Sequence, residues 1–190
     1  MLTPEKIAKN AKKYFTTCQE HGFMVESLMT FLGVSIVESP CSTHRNMHNS
    51  FPGGLISHML LTTKHFLNLN DILPEPMKVD KESIIKVSLL YQIGKAKLFV
   101  PCTSEWHKSN LGKNYDFNPE LLPMRVGERS ILYLMEHGVK LSECEYNAIL
   151  SYDKMDDDKE AKYFNCHLGI LLKMANDLAA MEEKKLSENE

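Results

Sequence analysis

The residues best suited to chemistry lie in, and just before, a Pro-Gly-Gly turn at positions 52–54. His58 follows this turn at a spacing that places it one turn inside a helix, and Arg45 and His48 precede the turn. The first turn of a helix leaves N–H groups unpaired, and these groups together with the helix dipole attract anions. The sequence therefore predicts a place for a phosphate group, or for a metal-bound phosphate, at this helix start. The alternative is a solvated polar loop, which describes His44 better than His48.

Two later stretches complete a pattern with this turn. They are LLYQIGKAKLF at residues 89–99 and KMANDLAAMEE at residues 173–183. Together the three stretches resemble the HD-domain phosphohydrolase family, whose pattern is a His on a first helix, a His-Asp pair inside LLHDIGK and a late Asp inside ADRLA. His58 matches the first position, and we assign Asp177 to the last. Tyr91 and Gln92 stand where the family has its His-Asp pair.

The resemblance extends over about residues 2–183 in the order of its segments. That order is similar to a group of HD proteins encoded by phages and some bacteria. It includes FPGGL at 51–55, SEWHKSNLGKNY at 104–115, an Arg-Ser pair at 129–130 and LSECEYNAILSYD at 141–153. Relatives tend to carry a His before the last Asp of this segment, whereas this chain has Tyr152 before Asp153. Asp153 is a further residual candidate for a metal ligand.

The resemblance implies a metal ion that holds and acidifies a water molecule for attack at phosphorus. Gln92 offers only a neutral amide oxygen, and Tyr91 keeps its proton at neutral pH because the reference pKa of tyrosine is about 10. We therefore expect a vestigial site of His58, Tyr91, Gln92 and Asp177 that has no catalytic residue, no bound metal and no cofactor. Buried without metal, His58 and Asp177 are expected to hydrogen-bond each other or Gln92 in a polar network.

Three functions are compatible with these residues. The first is a catalytically inactive HD-fold protein that binds another macromolecule, most plausibly a protein, in a regulatory or inhibitory role, with Trp106 and Tyr115 as anchors. The second is a sensor that holds a nucleotide or another phosphate compound without turnover. The residues proposed to hold it are Arg45, His48, Lys95, Arg125 and Arg129. The third is an active phosphohydrolase with relocated ligands, which would recruit His48, His58, Asp153 and Asp177.

Composition narrows the class of protein. A length of 190 residues suits one domain, predicted over residues 1–185 with a disordered tail at 186–190. The net charge of −3 and a sequence pI of about 6.2 argue against a nucleic-acid partner. No apolar run is long enough to cross a bilayer, so no membrane association is expected. Five scattered cysteines without a C-x-x-C pair argue against a disulfide framework and against a zinc site. They predict reduced thiols and therefore a cytoplasmic protein, which is in the host cytoplasm if the chain is phage-encoded.

The periodicity predicts an all-α fold of about six to eight helices. Thr3 and Asp80 are predicted to cap two of these helices, and Ser142 opens a capping box before a third. The predicted helices cover about residues 4–20, 23–32, 55–69, 81–98, 128–136, 143–150 and 160–183. The last helix is predicted to bury Tyr163, Ile170, Leu171, Met174, Leu178 and Met181. Residues 99–127 lack clear periodicity, and so long an irregular segment is more often functional than filler.

Overall fold

The computed structural model describes residues 2–153 and 166–188 of the chain. These residues form eight α-helices and one two-stranded sheet, so the predicted all-α class is confirmed. The helices are α1 Pro4–Glu20, α2 Glu26–Glu38, α3 Gly54–Ile72, α4 Lys81–Leu90, α5 Glu105–Leu111, α6 Val126–Glu136, α7 Glu143–Ser151 and α8 His167–Glu188. Strands β1 Phe99–Pro101 and β2 Tyr115–Phe117 pair antiparallel within the segment that was predicted to be irregular.

The predicted helix starts are confirmed where a side chain caps them. The Thr3 hydroxyl accepts a hydrogen bond from the Lys6 N–H at 3.3 Å, and Asp80 accepts one from the Ser83 N–H at 2.9 Å. Ser142 forms the predicted capping box with the side chain of the third residue of α7. Each cap satisfies an amide that the helix itself leaves unpaired, which is why these residue types are readable in sequence.

The end of α4 differs from the prediction. The helix ends at Leu90 rather than at Leu98, and a short 3-10 turn follows at Ile93–Lys95. The Ser130 hydroxyl of α6 donates to the Tyr91 carbonyl at 2.8 Å and accepts from the Gly94 N–H at 2.9 Å. These bonds replace those of a continuing helix and turn the chain at positions 91–94. A Cβ atom on Gly94 would lie 2.7 Å from the Val126 carbonyl oxygen, so this close approach of α6 requires glycine.

Helix α3 lies in the middle of the molecule and packs against α4 and α8, while α7 packs against α6 and α8. The buried face of α3 is formed by Leu55, Met59, Thr62 and Phe66. The predicted face of α8 is wrong at four positions, because Ile170, Met174, Leu178 and Met181 are exposed. The residues of α8 that are buried instead are Leu168, Leu171, Leu172, Ala175 and Ala179. The two alanines let α8 approach α3 closely.

Helix α2 also differs from its predicted span, since it continues past Gly33 to Glu38 with a kink at the glycine, where φ is 48°. Helix α8 runs to Glu188, and the start predicted near Glu160, together with Tyr163 of its predicted buried face, lies outside the described residues. The five cysteines are free thiols. None of the helices within residues 2–153 and 166–188 combines the length and apolar character that crossing a bilayer requires.

Candidate functional site: a buried polar pocket around His58

The Pro-Gly-Gly turn places His58 in the core at the second turn of α3. Gly53 adopts a left-handed conformation with φ of 80°, and a Cβ atom on Gly54 would collide with the backbone oxygen of Asn49. The Leu55 N–H donates to the Ser39 carbonyl at 3.0 Å, and the Gly54 N–H donates to the Phe51 carbonyl at 3.0 Å. Two of the amide groups at this helix start are therefore occupied by the protein itself, which weakens the predicted anion site there.

His58 is fully buried, and both of its ring nitrogens face oxygen atoms of α8. Its Nδ1 lies 2.8 Å from Glu183 Oε2, and its Nε2 lies 3.1 Å from Asn176 Oδ1. The other carboxylate oxygen of Glu183 accepts a 2.6 Å hydrogen bond from the Asn49 side chain. Glu183 therefore links the loop before α3, the imidazole and the last helix in one buried contact.

Asn176 is the centre of the remaining network. Its Oδ1 accepts hydrogen bonds from the Tyr91 hydroxyl at 3.0 Å and from Gln92 Nε2 at 3.3 Å. The rings of Tyr91 and Tyr152 pack edge to face with centroids 4.6 Å apart. Burial raises the pKa of both tyrosines well above the ordinary value, so both phenols remain protonated. A polar network around His58 and Gln92 was expected, but its α8 member is Asn176.

The assignment of Asp177 to this pocket is wrong. Asp177 is exposed on the outer side of α8, where its carboxylate lies 3.3 Å from Lys173 Nζ. The sequence pattern explains the error: when Ala175, Leu178 and Ala179 are aligned with the Ala, Leu and Ala of ADRLA, the family's Asp falls on Asn176. On this alignment the position of the late acidic residue carries its neutral amide, as Tyr91, Gln92 and Tyr152 stand at the other positions of the pattern.

A thiol and a second imidazole border the network on the side of the loop before α3. Cys41 Sγ lies 3.4 Å from His48 Nε2 and 3.5 Å from Gln92 Oε1. Lys95 Nζ donates to the Cys41 carbonyl at 2.8 Å and to Gln92 Oε1 at 3.1 Å. These two hydrogen bonds fix the position of the half-buried Lys95 ammonium group. Burial raises the pKa of the Cys41 thiol to about 11, and burial with the nearby His58 and Lys95 lowers the pKa of His48 to about 3.

The residues predicted to hold a phosphate occupy several positions. His48 and Lys95 join the network around Cys41, whereas Arg129 is a buried residue of α6 and donates to the Leu122 carbonyl. Arg125 is exposed at the N-cap of α6, and Asp153 is exposed at the end of α7.

Arg45 borders a separate cleft of about 580 Å³ between α1, the 45–51 loop, α3 and the end of α8. We call this the basic cleft, because Lys6, Lys13, Arg45 and Lys64 line it. None of these four cations forms an ion pair with another described residue. The carboxylate in the lining is Glu183, which is already bonded to His58 and Asn49. The cleft therefore adjoins the buried pocket on the Nδ1 side of His58 and is positive.

Sequence reasoning missed Asn176, Glu183 and Cys41. Asn176 was readable from the flanking Ala175, Leu178 and Ala179, and Glu183 lies seven residues later on the same helix face. Cys41 carried no readable signal, since it lies in an irregular loop 17 residues before His58. Only the fold brings Cys41 beside the pocket.

The metal ion that the resemblance implies does not fit these side chains. Of the positions aligned with ligands, His58 alone keeps a metal-binding residue type, and the others are two neutral amides and two protonated phenols. Hard dications such as Mg²⁺ and Mn²⁺ are held in proteins by carboxylates, carbonyls and water. The one carboxylate bonded to His58 is that of Glu183, which is paired with His58 Nδ1 and with the Asn49 amide, so none of the positions aligned with ligands supplies an anionic oxygen atom to offset such a charge.

Comparison with known proteins supports the coarser part of the resemblance. A 99-residue stretch is 38% identical to the dihydroneopterin 2',3'-cyclic phosphate phosphodiesterase of Methanocaldococcus jannaschii. The stretch is 50% of this chain and spans 37% of the length of that protein. No protein-family model and no solved structure matches the chain. The similarity is thus to a phosphodiesterase over half of the chain. The degenerate site and the phage grouping stay predictions.

Two adjacent glutamates of α8 allow a matched test of the buried contact. We expect Glu183→Ala to lower the free energy of unfolding by about 2–6 kcal/mol, because it leaves two buried groups, His58 Nδ1 and the Asn49 amide, unpaired at a cost of about 1–3 kcal/mol each. Glu182 makes a similar 2.8 Å contact with His65, but its side chain is 41% exposed. Glu182→Ala should therefore cost less than about 1 kcal/mol. Urea unfolding of both variants measures the difference, and equal losses would contradict the central role of Glu183.

Proposed function

We propose that this chain is a phosphohydrolase-like protein that does not hydrolyse phosphate esters at the pocket around His58, and that acts by binding another protein. The observation that carries the first half is the placement of Asn176 on His58 Nε2, at the position where the resemblance puts a metal-binding aspartate. Together with Tyr91, Gln92 and Tyr152, it leaves one imidazole among the positions that hold the metal ion in the family pattern. A bound metal ion that activates water is the chemistry that the resemblance implies.

The hydrogen bonds of the pocket support the same proposal. Asn176, Tyr91 and Gln92 satisfy one another, and Lys95 occupies the remaining face of the Gln92 amide. A buried polar network in which the members are paired is stable without an ion.

The first test is hydrolysis. We expect the purified chain to hydrolyse 2',3'-cyclic nucleotides and bis(p-nitrophenyl) phosphate no faster than its His58→Ala variant, with Mg²⁺, Mn²⁺, Fe²⁺ or Zn²⁺ added in turn. The physical reason is that removing an imidazole cannot reduce a rate that the pocket does not support. A wild-type rate above background that disappears in His58→Ala would refute the proposal and support an active enzyme with relocated ligands.

The exposed side of α8 supports a protein partner. Ile170, Met174, Leu178 and Met181 are spaced by four, four and three residues and form one apolar stripe, here called the α8 stripe, with exposed fractions of 37–56%. Trp106, on α5, is 62% exposed and was predicted as an anchor. Tyr115, the other predicted anchor, is half-buried, and Phe117 on the same strand is exposed instead. Large exposed apolar side chains in a row mark interaction sites more often than isolated ones do.

The second test concerns the α8 stripe. We expect Met174→Ser with Leu178→Ser to abolish recovery of a specific partner when tagged protein is recovered from its native host after crosslinking and is analysed by quantitative mass spectrometry. Met135→Ser on α6 is the matched control, because Met135 is as exposed but lies outside the stripe. Retention by the stripe variant together with loss in Trp106→Ala would move the interface to α5. Retention in both variants would contradict a partner on either surface.

The basic cleft favours a second candidate function, the binding of a nucleotide or a related phosphate compound without turnover. Its volume of about 580 Å³ lies within the range of small-molecule sites, which is about 300–1,000 Å³. Four cations from three parts of the chain surround it, and Phe51 in its wall offers a surface on which a base could stack.

Thermal unfolding with a panel of nucleotides and cyclic nucleotides tests this candidate. A ligand present at 100 times its dissociation constant should stabilise the protein by about 2.7 kcal/mol. We expect this stabilisation to be lost when Lys13→Glu and Lys64→Glu are combined and to persist in Lys9→Glu, an exposed lysine of α1 outside the cleft lining. The absence of any shift across the panel would remove the candidate.

A further inference from the structure

Two groups of metal-binding side chains come together among the described residues, and neither is a local sequence motif. The first is Cys41, His48 and His58, and the second is Cys102, His107 and Asp116. Within each group the candidate ligand atoms lie within 4.8 Å of one another. We propose that Cys41, His48 and His58 form a site for a borderline ion of the Zn²⁺ class, bound through one thiolate and two imidazoles. This proposal departs from the expectation of a metal-free pocket and does not depend on the proposed function.

The separations fit tetrahedral coordination with small adjustments. Zinc bonds of about 2.3 Å to sulfur and about 2.0–2.1 Å to nitrogen place neighbouring ligand atoms about 3.3–3.6 Å apart. Cys41 Sγ and His48 Nε2 are 3.4 Å apart, which is within this range. The rings of His48 and His58 are tilted by 36° to each other, and the ligand atoms of all three residues lie within 4.8 Å of one another, so side-chain shifts of about 1–1.5 Å bring them to the separations of a zinc site.

The surroundings of His58 independently indicate a cation. Both ring nitrogens face oxygen atoms, Glu183 Oε2 at Nδ1 and Asn176 Oδ1 at Nε2. A neutral imidazole carries one N–H, so its other nitrogen would point a lone pair at an oxygen lone pair. The Asn176 oxygen is oriented toward Nε2 by the two donors Tyr91 and Gln92. A second proton or a metal ion at Nε2 resolves this contact, and the imidazole and thiol nearby supply further ligands for the ion.

The groups around the three ligands are those that support a bound zinc ion. A carboxylate on the far nitrogen of a metal-binding histidine orients the ring and raises its basicity, and Glu183 holds that position on His58. Lys95 Nζ lies 3.6 Å from Cys41 Sγ and can donate to the thiolate. Gln92 Oε1, 3.5 Å from the sulfur, supplies a fourth donor. Cys41 is 1% exposed, His58 is fully buried and His48 is half-buried, so two of the three ligands are shielded from solvent, as in a structural site.

The change in metal-ligand atoms relative to the family pattern alters which metal ion is preferred. The family pattern is built on carboxylates and imidazoles, which suit hard and borderline ions. This chain has lost the carboxylates and adds a thiol from the preceding loop. Thiolate ligands shift preference toward Zn²⁺ and Cu⁺ and away from Mg²⁺ and Mn²⁺. The second cluster is a weaker candidate, because the carboxylate of Asp116 is already paired with Lys113.

Co²⁺ is the probe for the experiment, because its bond to a thiolate gives an intense near-ultraviolet charge-transfer band that Zn²⁺ then removes on displacement. The full chain, stripped of metal with a chelator, is titrated with Co²⁺ and then with Zn²⁺. We expect one equivalent of Co²⁺ to produce the band in the wild type and in Cys102→Ser. Cys41→Ser should lose the band. It should also lower Zn²⁺ affinity by more than about 100-fold, because losing only a residue that hydrogen-bonds to a metal ligand already costs up to about that much. Glu183→Gln should weaken binding by about 10–100-fold and keep the band.

X-ray absorption at the zinc edge of the wild type provides a readout that does not depend on variants folding. One sulfur and two imidazole nitrogens per zinc support the proposal. A band that survives Cys41→Ser and is lost in Cys102→Ser overturns it in favour of the second cluster. The absence of one equivalent of bound Zn²⁺ at micromolar concentrations also overturns it. Zinc-loaded protein that hydrolyses phosphodiesters would refute the proposed function and leave the metal site standing.

Discussion

The pocket depends on one buried imidazole held between two oxygen atoms of the same helix. Glu183 and Asn176 are seven residues apart on α8, so both point toward α3, where they bracket the ring of His58. Because this contact is buried, its polar atoms must be satisfied locally, and each neighbour is constrained in turn. Asn176 orients Gln92 and Tyr91, Gln92 orients Lys95, and Lys95 holds the backbone of Cys41. A contact between two helices thereby fixes the loop that precedes one of them.

The replacements in this pocket are physically consistent with one another. Asn at position 176 and Gln at position 92 stand where the family pattern has aspartates, so both keep a side-chain oxygen and lose the negative charge. Once a dication is absent, a carboxylate at either position would be a buried charge without a partner, which costs several kcal/mol. An amide both donates and accepts, and it can join a closed network. Amides at both positions therefore close the hydrogen-bond network without a buried unpaired charge, whereas an amide at one position and a carboxylate at the other would not.

The sequence predicted the helix ends and site positions that nearby residues determine, and it failed at those that residues distant in the chain determine. The caps at Thr3, Asp80 and Ser142 were readable because an N-cap acts within three residues of itself. The end of α4 was not readable, because it is set by the hydroxyl of Ser130, almost forty positions later. Tyr91 and Gln92 were placed correctly because their flanking residues keep a fixed register. Cys41 was missed because nothing in an irregular loop encodes its distance from His58.

The error on α8 shows how packing selects a helix face. Hydrophobicity favours burying Ile170, Met174 and Leu178, but the structure exposes these three side chains and buries Ala175 and Ala179 together with the leucines of the opposite face. Small residues permit the close approach that Asn176 and Glu183 need in order to reach a ring on the neighbouring helix. Rotating α8 by one residue, about 100°, would turn Asp177 toward the pocket, and it would also withdraw Asn176 and push the larger Leu178 toward the close contact with α3. The same rotation of α8 about its axis therefore completes the pocket and exposes the α8 stripe.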